Sequence, residues 1–351
     1  MGTQVEDLQA PRPEADPAFD ARLDDVSRGE QRRLRRGIVS LVLLAGLVAA
    51  LVLAVPGLQH VGHRIASAEP AWIAVAVLLE IASCLGYVLA FQLVFDRAPR
   101  LLAARVALAE MAFGAVVPAG GAGGIAVGAW VAKAKGASLR RFMERSAVLY
   151  LLTSAINAAT LAAAGLLVGL GVLDAPHPLA LGLVPGLVGV VAVGAFALVP
   201  PLDRRLAIGE TPSRRARWVH ATADVVRAVR QTLLHPRWRL LGALAYLWCD
   251  IAVLWLCFRA FGSPPPVAAL TLAYLIGYLS NVVPIPGGIG VLDGGMTAAL
   301  VLYGVPPASA AAAVLLYHAI ALWIPTLLGL VAFARLRQTL DEPLRPRAER
   351  T

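Results

Sequence analysis

Two acidic residues lie in parts of the sequence that are otherwise apolar. Glu80 is near the centre of a long apolar run at 71–95, and Asp250 is near the centre of another at 240–261. A carboxylate at the middle of a membrane span costs about 3 kcal/mol on insertion scales, so it usually has a partner or a function. We expect both carboxyls to face one interior and to bind a substrate. The alternative is that each is protonated, or hydrogen-bonded to a neighbouring helix for packing alone.

A second polar group occurs in the same kind of surroundings. Glu110, Asp293 and His318 lie in or beside apolar runs, and Tyr278, Asn281 and Tyr317 lie near them in the sequence. Histidine titrates in the range that proton transfer requires, although a hydrogen-bonded interior histidine is the alternative. The amide and the phenols either line the same cavity or join helices by hydrogen bonds.

Two stretches rich in glycine and proline interrupt the apolar sequence. VVPAGGAGGIAVG begins at Val116, and VVPIPGGIGVLDGG begins at Val282. A helix broken at membrane depth leaves backbone groups unpaired, which is tolerated only beside protein or a water-filled cavity. Glycines that merely allow close helix packing are the alternative. We predict that both turns offer backbone groups to a substrate, through Pro118, Gly120, Gly121, Pro284, Pro286, Gly287 and Gly288.

Glu144 and Arg145 stand where a later apolar run begins. At the surface of a membrane such a pair suits an ion pair or a contact with a lipid phosphate. We therefore add both to the candidate substrate-binding residues.

Patterns typical of cofactor and metal sites are weak in this sequence. GAGGIA at 121–126 has the glycine spacing of a dinucleotide-binding turn, but it follows an apolar helix and lacks the strand and the ribose-binding acid. His60 and His63 have no converging carboxylates. We therefore expect no cofactor, no bound metal and no catalytic residues, and we expect that the protein is not an enzyme.

The composition explains why these polar residues are unusual. Of 351 residues, 58% are hydrophobic and only 15% are charged, which favours an all-α polytopic membrane protein. A span needs about 18 or more apolar residues to cross a hydrocarbon core of roughly 30 Å. Six runs satisfy this: 38–55, 71–95, 146–170, 179–200, 240–261 and 310–334. With the two broken hairpins, they form a membrane domain over about 38–335.

The net charge of +9 does not indicate a nucleic-acid partner. All but two of the 31 Lys and Arg residues lie in alternate connections or in the tails, so their distribution follows the membrane topology. The positive-inside rule then places both termini in the cytoplasm. We expect a disordered tail at 1–37, a basic tail at 336–351 and a cytoplasmic linker at 201–239. Apolar residues at helical spacing among arginines make that linker an interfacial helix or a plain solvated loop.

The two glycine/proline stretches belong to an internal duplication. Pro118 is followed by Tyr150 after 32 residues, and Pro284 is followed by Tyr317 after 33. The first hairpin is flanked by basic connections and the second by nearly uncharged ones, so they open to opposite sides of the membrane. This arrangement predicts an inverted-topology repeat, with halves at about 71–171 and 240–334.

The sequence resembles the membrane domain of lysylphosphatidylglycerol synthase/flippase proteins and the wider flippase-like family. The resemblance covers roughly 38–335. It is carried by VVPIPGGIGVLDGG with the LYGVPPASAAAAVLLYHAIALWIPTLLGLVAF that follows, and by VPAGGAGGIAVGAWVAKAKGASLRRFMERSAVLYLLTSA. It implies about eight membrane segments and binding or translocation of phospholipids or polyprenyl-linked lipids.

This sequence departs from the family pattern at three places. The first glycine turn, around Gly121, lacks the usual Arg and Glu, Asp293 stands where Glu is usual, and His318 stands where Arg commonly follows the tyrosine. No synthase domain accompanies the membrane domain, so we do not expect synthase activity.

Three functions remain open at this point. The first is a flippase or lipid-binding transporter of the inner membrane, with an anionic phospholipid or polyprenyl-linked lipid as its partner. The second is an ion-coupled transporter of a small soluble solute, which an inverted repeat fits equally well. The third is a non-catalytic partner of an enzyme that acts on a lipid-linked sugar. A homo-oligomer is compatible with each.

Overall fold

The computed structural model describes residues 68–116, 122–206, 214–262, 264–278 and 291–341. Within these ranges the regular structure is helical, with no strand. Five segments are long and apolar enough to cross a membrane. The protein is therefore an all-α, multi-pass integral membrane protein, as predicted.

Ten α-helices follow one another in the described residues, with a π-helical segment at Pro178–Leu183 before the fifth. They are α1 Pro70–Val94, α2 Arg100–Val116, α3 Ala122–Ala134, α4 Leu139–Gly169, α5 Val184–Leu206, α6 Arg214–Leu234, α7 Leu240–Ala260, α8 Val267–Tyr278, α9 Val291–Leu302 and α10 Pro307–Asp341.

The five candidate spans coincide with five of the six predicted ones. They are Pro70–Val94, Leu139–Gly169, Pro178–Phe196, Leu240–Ala260 and Pro307–Leu340. The remaining predicted span, 38–55, lies outside the described residues, as do both predicted tails apart from 336–341.

Helices α1 and α7 cross at two glycines. A Cβ added to Gly86 would lie 2.7 Å from the Gly242 carbonyl oxygen, and one added to Gly242 would lie 2.6 Å from the Gly86 carbonyl oxygen. Small residues permit two helix backbones to approach this closely inside a membrane. The Ser83 hydroxyl also donates a hydrogen bond to the Tyr246 carbonyl oxygen over 3.0 Å. This crossing fixes the relative position of the two helices that carry Glu80 and Asp250.

Two pairs of shorter helices form the predicted hairpins. Helix α2 packs against α3, and α8 packs against α9. The 17 residues of α2 rise about 25 Å and the other three helices rise less, so each is shorter than a hydrocarbon core of roughly 30 Å. The turns at 117–121 and 279–290 lie outside the described residues, so a re-entrant course stays a prediction. The apolar pattern predicts a helix over 106–117 before the first glycine/proline stretch. Helix α2 begins six residues earlier, at Arg100, because the basic connection at 96–105 is partly helical.

The linker at 201–239 contains a helix. Helix α6 packs against α5 and α4, and it buries Ala223, Val226 and Val229. The solvated-loop alternative is therefore wrong for residues 214–234, since the apolar side chains at helical spacing pack against the bundle. The contact of this helix with a lipid surface stays a prediction.

Two helix contacts across the bundle correspond between the predicted halves, and the repeat itself stays a prediction. Helix α2 packs on α10, and α8 packs on α4, which are the matching contacts that two equivalent halves would make. Gly329 allows the first contact, because a Cβ there would lie 2.3 Å from the Leu108 carbonyl oxygen. The inverted orientation of the halves stays a prediction.

Candidate functional site

The two acids at mid-span meet at the interface between α1 and α7. Glu80 is 3% exposed, and its carboxyl is near enough to that of Asp250 for each to influence the charge of the other. The two helices carry these residues to the same level because the glycine crossing holds them in register. The structure therefore brings together the two acids that the sequence placed at related positions of its halves.

Two tyrosines complete the cluster from two further helices. The Tyr317 hydroxyl of α10 donates a hydrogen bond to Asp250 Oδ2 over 2.9 Å, and the Tyr274 hydroxyl of α8 donates to the same oxygen. The two rings meet edge to face, with centroids 6.2 Å apart. Glu80, Asp250, Tyr274 and Tyr317 are named the acid cluster below. Four helices contribute to it: α1 from the first predicted half, and α7, α8 and α10 from the second.

One oxygen of the acid cluster has no partner. Glu80 Oε2 is buried and makes no hydrogen bond in the described structure, while Oε1 lies 4.0 Å from the Cys84 sulfur. No Lys or Arg of the described residues forms an ion pair with either acid. Buried carboxyls without a cation require a proton or a bound positive or hydrogen-donating group. The acid cluster can therefore bind an amine, a hydroxyl or a proton.

A third acid, Asp293 of α9, contacts His318, the residue that follows Tyr317 on α10. His318 Nδ1 lies 2.5 Å from Asp293 Oδ1, and the two side chains are 9% and 13% exposed. Tyr317 and His318 are consecutive, so α10 contacts one acid from α7 and another from α9. The predicted grouping of Asp293 with His318 is thus a direct contact. A structural hydrogen bond and a proton relay are both consistent with this geometry.

Glu110 belongs to the first hairpin. A Cβ added to Gly128 of α3 would lie 1.9 Å from Glu110 Oε1, so α3 packs directly on this carboxyl. That oxygen is buried without a hydrogen-bond partner among the described residues. The first hairpin therefore has an interior acid of its own, packed against a glycine rather than against Asp293 or His318.

Glu144 and Arg145 do not pair with each other. Glu144 Oε1 accepts from Arg140 Nε over 2.8 Å on the exposed side of α4. Arg145 donates to the Val94 carbonyl oxygen and lies 3.6 Å from Asp96 Oδ1. Each of the two residues therefore forms an ion pair with a residue other than its neighbour, because the two side chains leave α4 in different directions. A contact of either residue with a lipid phosphate stays a prediction.

Several predicted site residues lie outside the described part of the chain. They are Pro118, Gly120, Gly121, Asn281, Pro284, Pro286, Gly287 and Gly288. Their role as substrate-binding residues stays a prediction.

Sequence reasoning named Tyr278 as a residue that lines the cavity or joins helices, but it missed Tyr274, Tyr87 and Tyr246. Tyr274 stacks on Tyr278 with centroids 5.9 Å apart, and Tyr87 of α1 lies 5.3 Å from Tyr246 of α7. The spacing of these residues in the sequence could have identified them. Tyr274 and Tyr278 are four residues apart before the second glycine/proline stretch, and Tyr246 is one helical turn before Asp250. Residues one helical turn apart share a face of the helix, so Tyr246 lies on the face of α7 that carries Asp250, and Tyr274 shares a face with Tyr278.

Known proteins that resemble this chain are also membrane proteins. A family model described as "Lysylphosphatidylglycerol synthase TM region" matches residues 38–329. A UPF0104 membrane protein of Methanocaldococcus jannaschii is 33% identical over 103 residues, which is 29% of this chain and 30% of that protein. A UPF0104 membrane protein of Methanothermobacter thermautotrophicus is 32% identical over 84 residues, 24% of each chain. The matched part spans less than a third of the length of either relative.

Proposed function

Because the chain belongs to the family of the lysylphosphatidylglycerol synthase transmembrane region, we propose that it is a lipid flippase or lipid-binding transporter. The headgroup of a phospholipid or polyprenyl-linked lipid enters the space between the two halves, while the apolar chains stay in the bilayer. The protein performs no covalent chemistry in this proposal. It resides in the inner membrane with both termini in the cytoplasm.

The acid cluster carries this proposal. An unpaired carboxyl in a membrane bundle is expensive and is retained when it binds something polar. Glu80 and Asp250 present acceptors, and the phenols of Tyr274 and Tyr317 orient one of these acids. Such a set of groups binds hydroxyl or ammonium groups of a headgroup and repels its phosphate.

An ion-coupled transporter of a soluble solute is the second candidate. The unneutralised acids and the contact of His318 with Asp293 support it, since chains of such groups relay protons in transporters. A cavity closed to the lipid phase would favour this candidate, and a portal between helices would favour the flippase.

Lipids that co-purify with the protein test the proposal. Wild-type protein should retain lipid of a restricted headgroup class in mass spectra, and Asp250→Asn should lose that selectivity while its helical content is unchanged. Asp174→Asn is the matched control, since Asp174 is exposed outside the helices. Unchanged headgroup selectivity in Asp250→Asn would count against the assigned role of the acid cluster.

A further inference from the structure

A separate pocket of about 410 Å³ lies at one end of the bundle. It is bounded by the end of α1, the start of α2, the end of α3 and the start of α4. We infer that this pocket binds the phosphate of a membrane lipid together with the first part of its apolar chain. The inference rests on the proposed lipid-handling function for its biological meaning, and it adds a site and a headgroup chemistry to that function.

The rim of the pocket is basic. Arg97, Lys135, Arg141 and Arg145 all line it. Arg97, Lys135 and Arg141 form no ion pair with an acid in the described part of the chain. Several Lys and Arg side chains around one opening attract phosphate, and guanidinium groups can bind it in a bidentate manner.

Asp96 is the acidic residue of the lining, and it is already neutralised. Its Oδ1 lies 3.6 Å from Arg145 Nη1, and its Oδ2 lies 3.6 Å from Arg237 Nη1. The remaining rim therefore keeps a positive balance. These contacts also connect the end of α1 to α4 and to the segment before α7, which keeps the rim in place.

Two helices begin at this pocket. Pro99 at the start of α2 and Ser138 at the start of α4 both line it. Ser138 is the N-cap of α4, and its hydroxyl accepts from the Arg141 backbone N–H at 3.5 Å. Helix N-termini carry partial positive charge and unpaired N–H groups, which favour phosphate. The ends of α1 and α3 also bound the pocket and carry the opposite partial charge, so the positive balance of the rim comes from the basic side chains.

The wall below the rim is apolar and aromatic. Phe91 and Phe95 stack with centroids 4.2 Å apart, and Phe95 lies 5.5 Å from Phe142. Leu102, Val106 and Val131 extend the same wall. A free phosphate gains nothing from such a wall, whereas the acyl or prenyl chain of a lipid buries apolar surface against it. The combination of rim and wall therefore selects a phosphate that carries an apolar chain.

An anionic lipid therefore requires no cation in the acid cluster, because its phosphate is bound by the basic side chains of the pocket. The phosphate is bound at the basic rim, at a different place from the carboxyls of Glu80 and Asp250. A headgroup then meets positive charge first and hydrogen-bonding carboxyls and phenols afterwards.

The test measures binding to the full-length protein in detergent, by native mass spectrometry. The probes are dioctanoyl phosphatidic acid, inorganic phosphate and dioctanoylglycerol. Wild-type protein should bind the phosphatidic acid best, and the double variant Arg97→Gln/Arg141→Gln should bind it about tenfold more weakly, the loss expected for charge-assisted contacts at an exposed rim. Ala132→Trp, which fills the pocket, should weaken the same binding without a change of charge.

The matched control is Arg140→Gln/Arg230→Gln, which removes the same charge at exposed positions that do not line the pocket. Its binding should equal that of the wild type. Equal weakening in the control, or none in either pocket variant, would overturn the assignment. Inorganic phosphate that binds as tightly as the phosphatidic acid would also overturn it, in favour of a free anion. Because this assay requires no transport, its result is independent of whether the protein flips lipids.

Discussion

The Tyr317 hydroxyl donates a hydrogen bond to Asp250 Oδ2 across 2.9 Å, which joins α10 to α7 in the interior of the bundle. Tyr317→Phe removes this bond and keeps the aromatic ring. We expect a loss of about 1 kcal/mol in the free energy of unfolding, the usual net value of one such bond. Thermal unfolding of the purified protein measures it. Tyr150→Phe is the control, since Tyr150 of α4 is 74% exposed; equal shifts in both variants would mean that the interior bond contributes nothing specific.

The fold should tolerate the replacement of one acid of the cluster by an amide of the same shape. Glu80→Gln removes one of two contacting carboxyls, and its amide can donate to Asp250. We expect a melting temperature equal to or above that of the wild type, because a buried acid without a cation is removed. Substrate movement should fall nonetheless.

Asp174→Asn is the matched control for that variant, because Asp174 is exposed outside the helices. Substitutions at exposed positions usually change stability by less than about 0.5 kcal/mol, so little change is expected in either property. A marked loss of stability in Glu80→Gln, with none in the control, would show that the carboxyl itself stabilises the fold.

The glycine crossing should be intolerant of a single methyl group. Gly86→Ala places a Cβ 2.7 Å from the Gly242 carbonyl oxygen, so α1 and α7 must move apart. We expect a loss of about 1–3 kcal/mol from overpacking. Gly194→Ala is the control, because nothing lies within 4 Å of its Cβ position in α5, and it should be neutral or slightly stabilising. Denaturant unfolding in detergent compares the two, and an unaffected Gly86→Ala would refute the close approach.

The contact of His318 with Asp293 should appear as an energetic coupling. In a double-mutant cycle with His318→Gln and Asp293→Asn, we expect a coupling of about 1–3 kcal/mol, as for a buried hydrogen bond to a charged group. Thermal unfolding of the wild type, the two single variants and the double variant measures this coupling energy. Additive effects of the two substitutions would mean that the contact is energetically silent.

The spans were predictable from sequence because apolar length is a strong signal in a membrane protein. Five predicted spans match long helices, and the acids at 80 and 250 stood out because carboxyls are rare in such runs. The start of α2 was not predictable in the same way. Arg100 and Arg105 indicate a connection by charge, yet both lie in α2, and Arg105 donates an exposed hydrogen bond to Thr339 of α10 over 3.0 Å.

The details of the site depended on side-chain direction, which periodicity alone does not determine. Tyr317 and Tyr150 end the two segments of the predicted duplication, but Tyr317 is 4% exposed and binds Asp250 while Tyr150 faces outward. The duplication therefore predicts the helices and not the chemistry of each position. Tyr274 was missed for a related reason, since a tyrosine in an apolar helix is also typical of a membrane interface.

Translocation of a labelled lipid tests the central claim most directly. Full-length protein in liposomes is given a fluorescent phosphatidylglycerol with its label on the acyl chain, and dithionite bleaches only the outer leaflet. Wild-type protein should allow bleaching beyond the outer half, and Asp250→Asn should return it to the level of protein-free liposomes. Bleaching in the wild type no greater than in protein-free liposomes, or equal in wild type and Asp250→Asn, would contradict a flippase that works through the acid cluster.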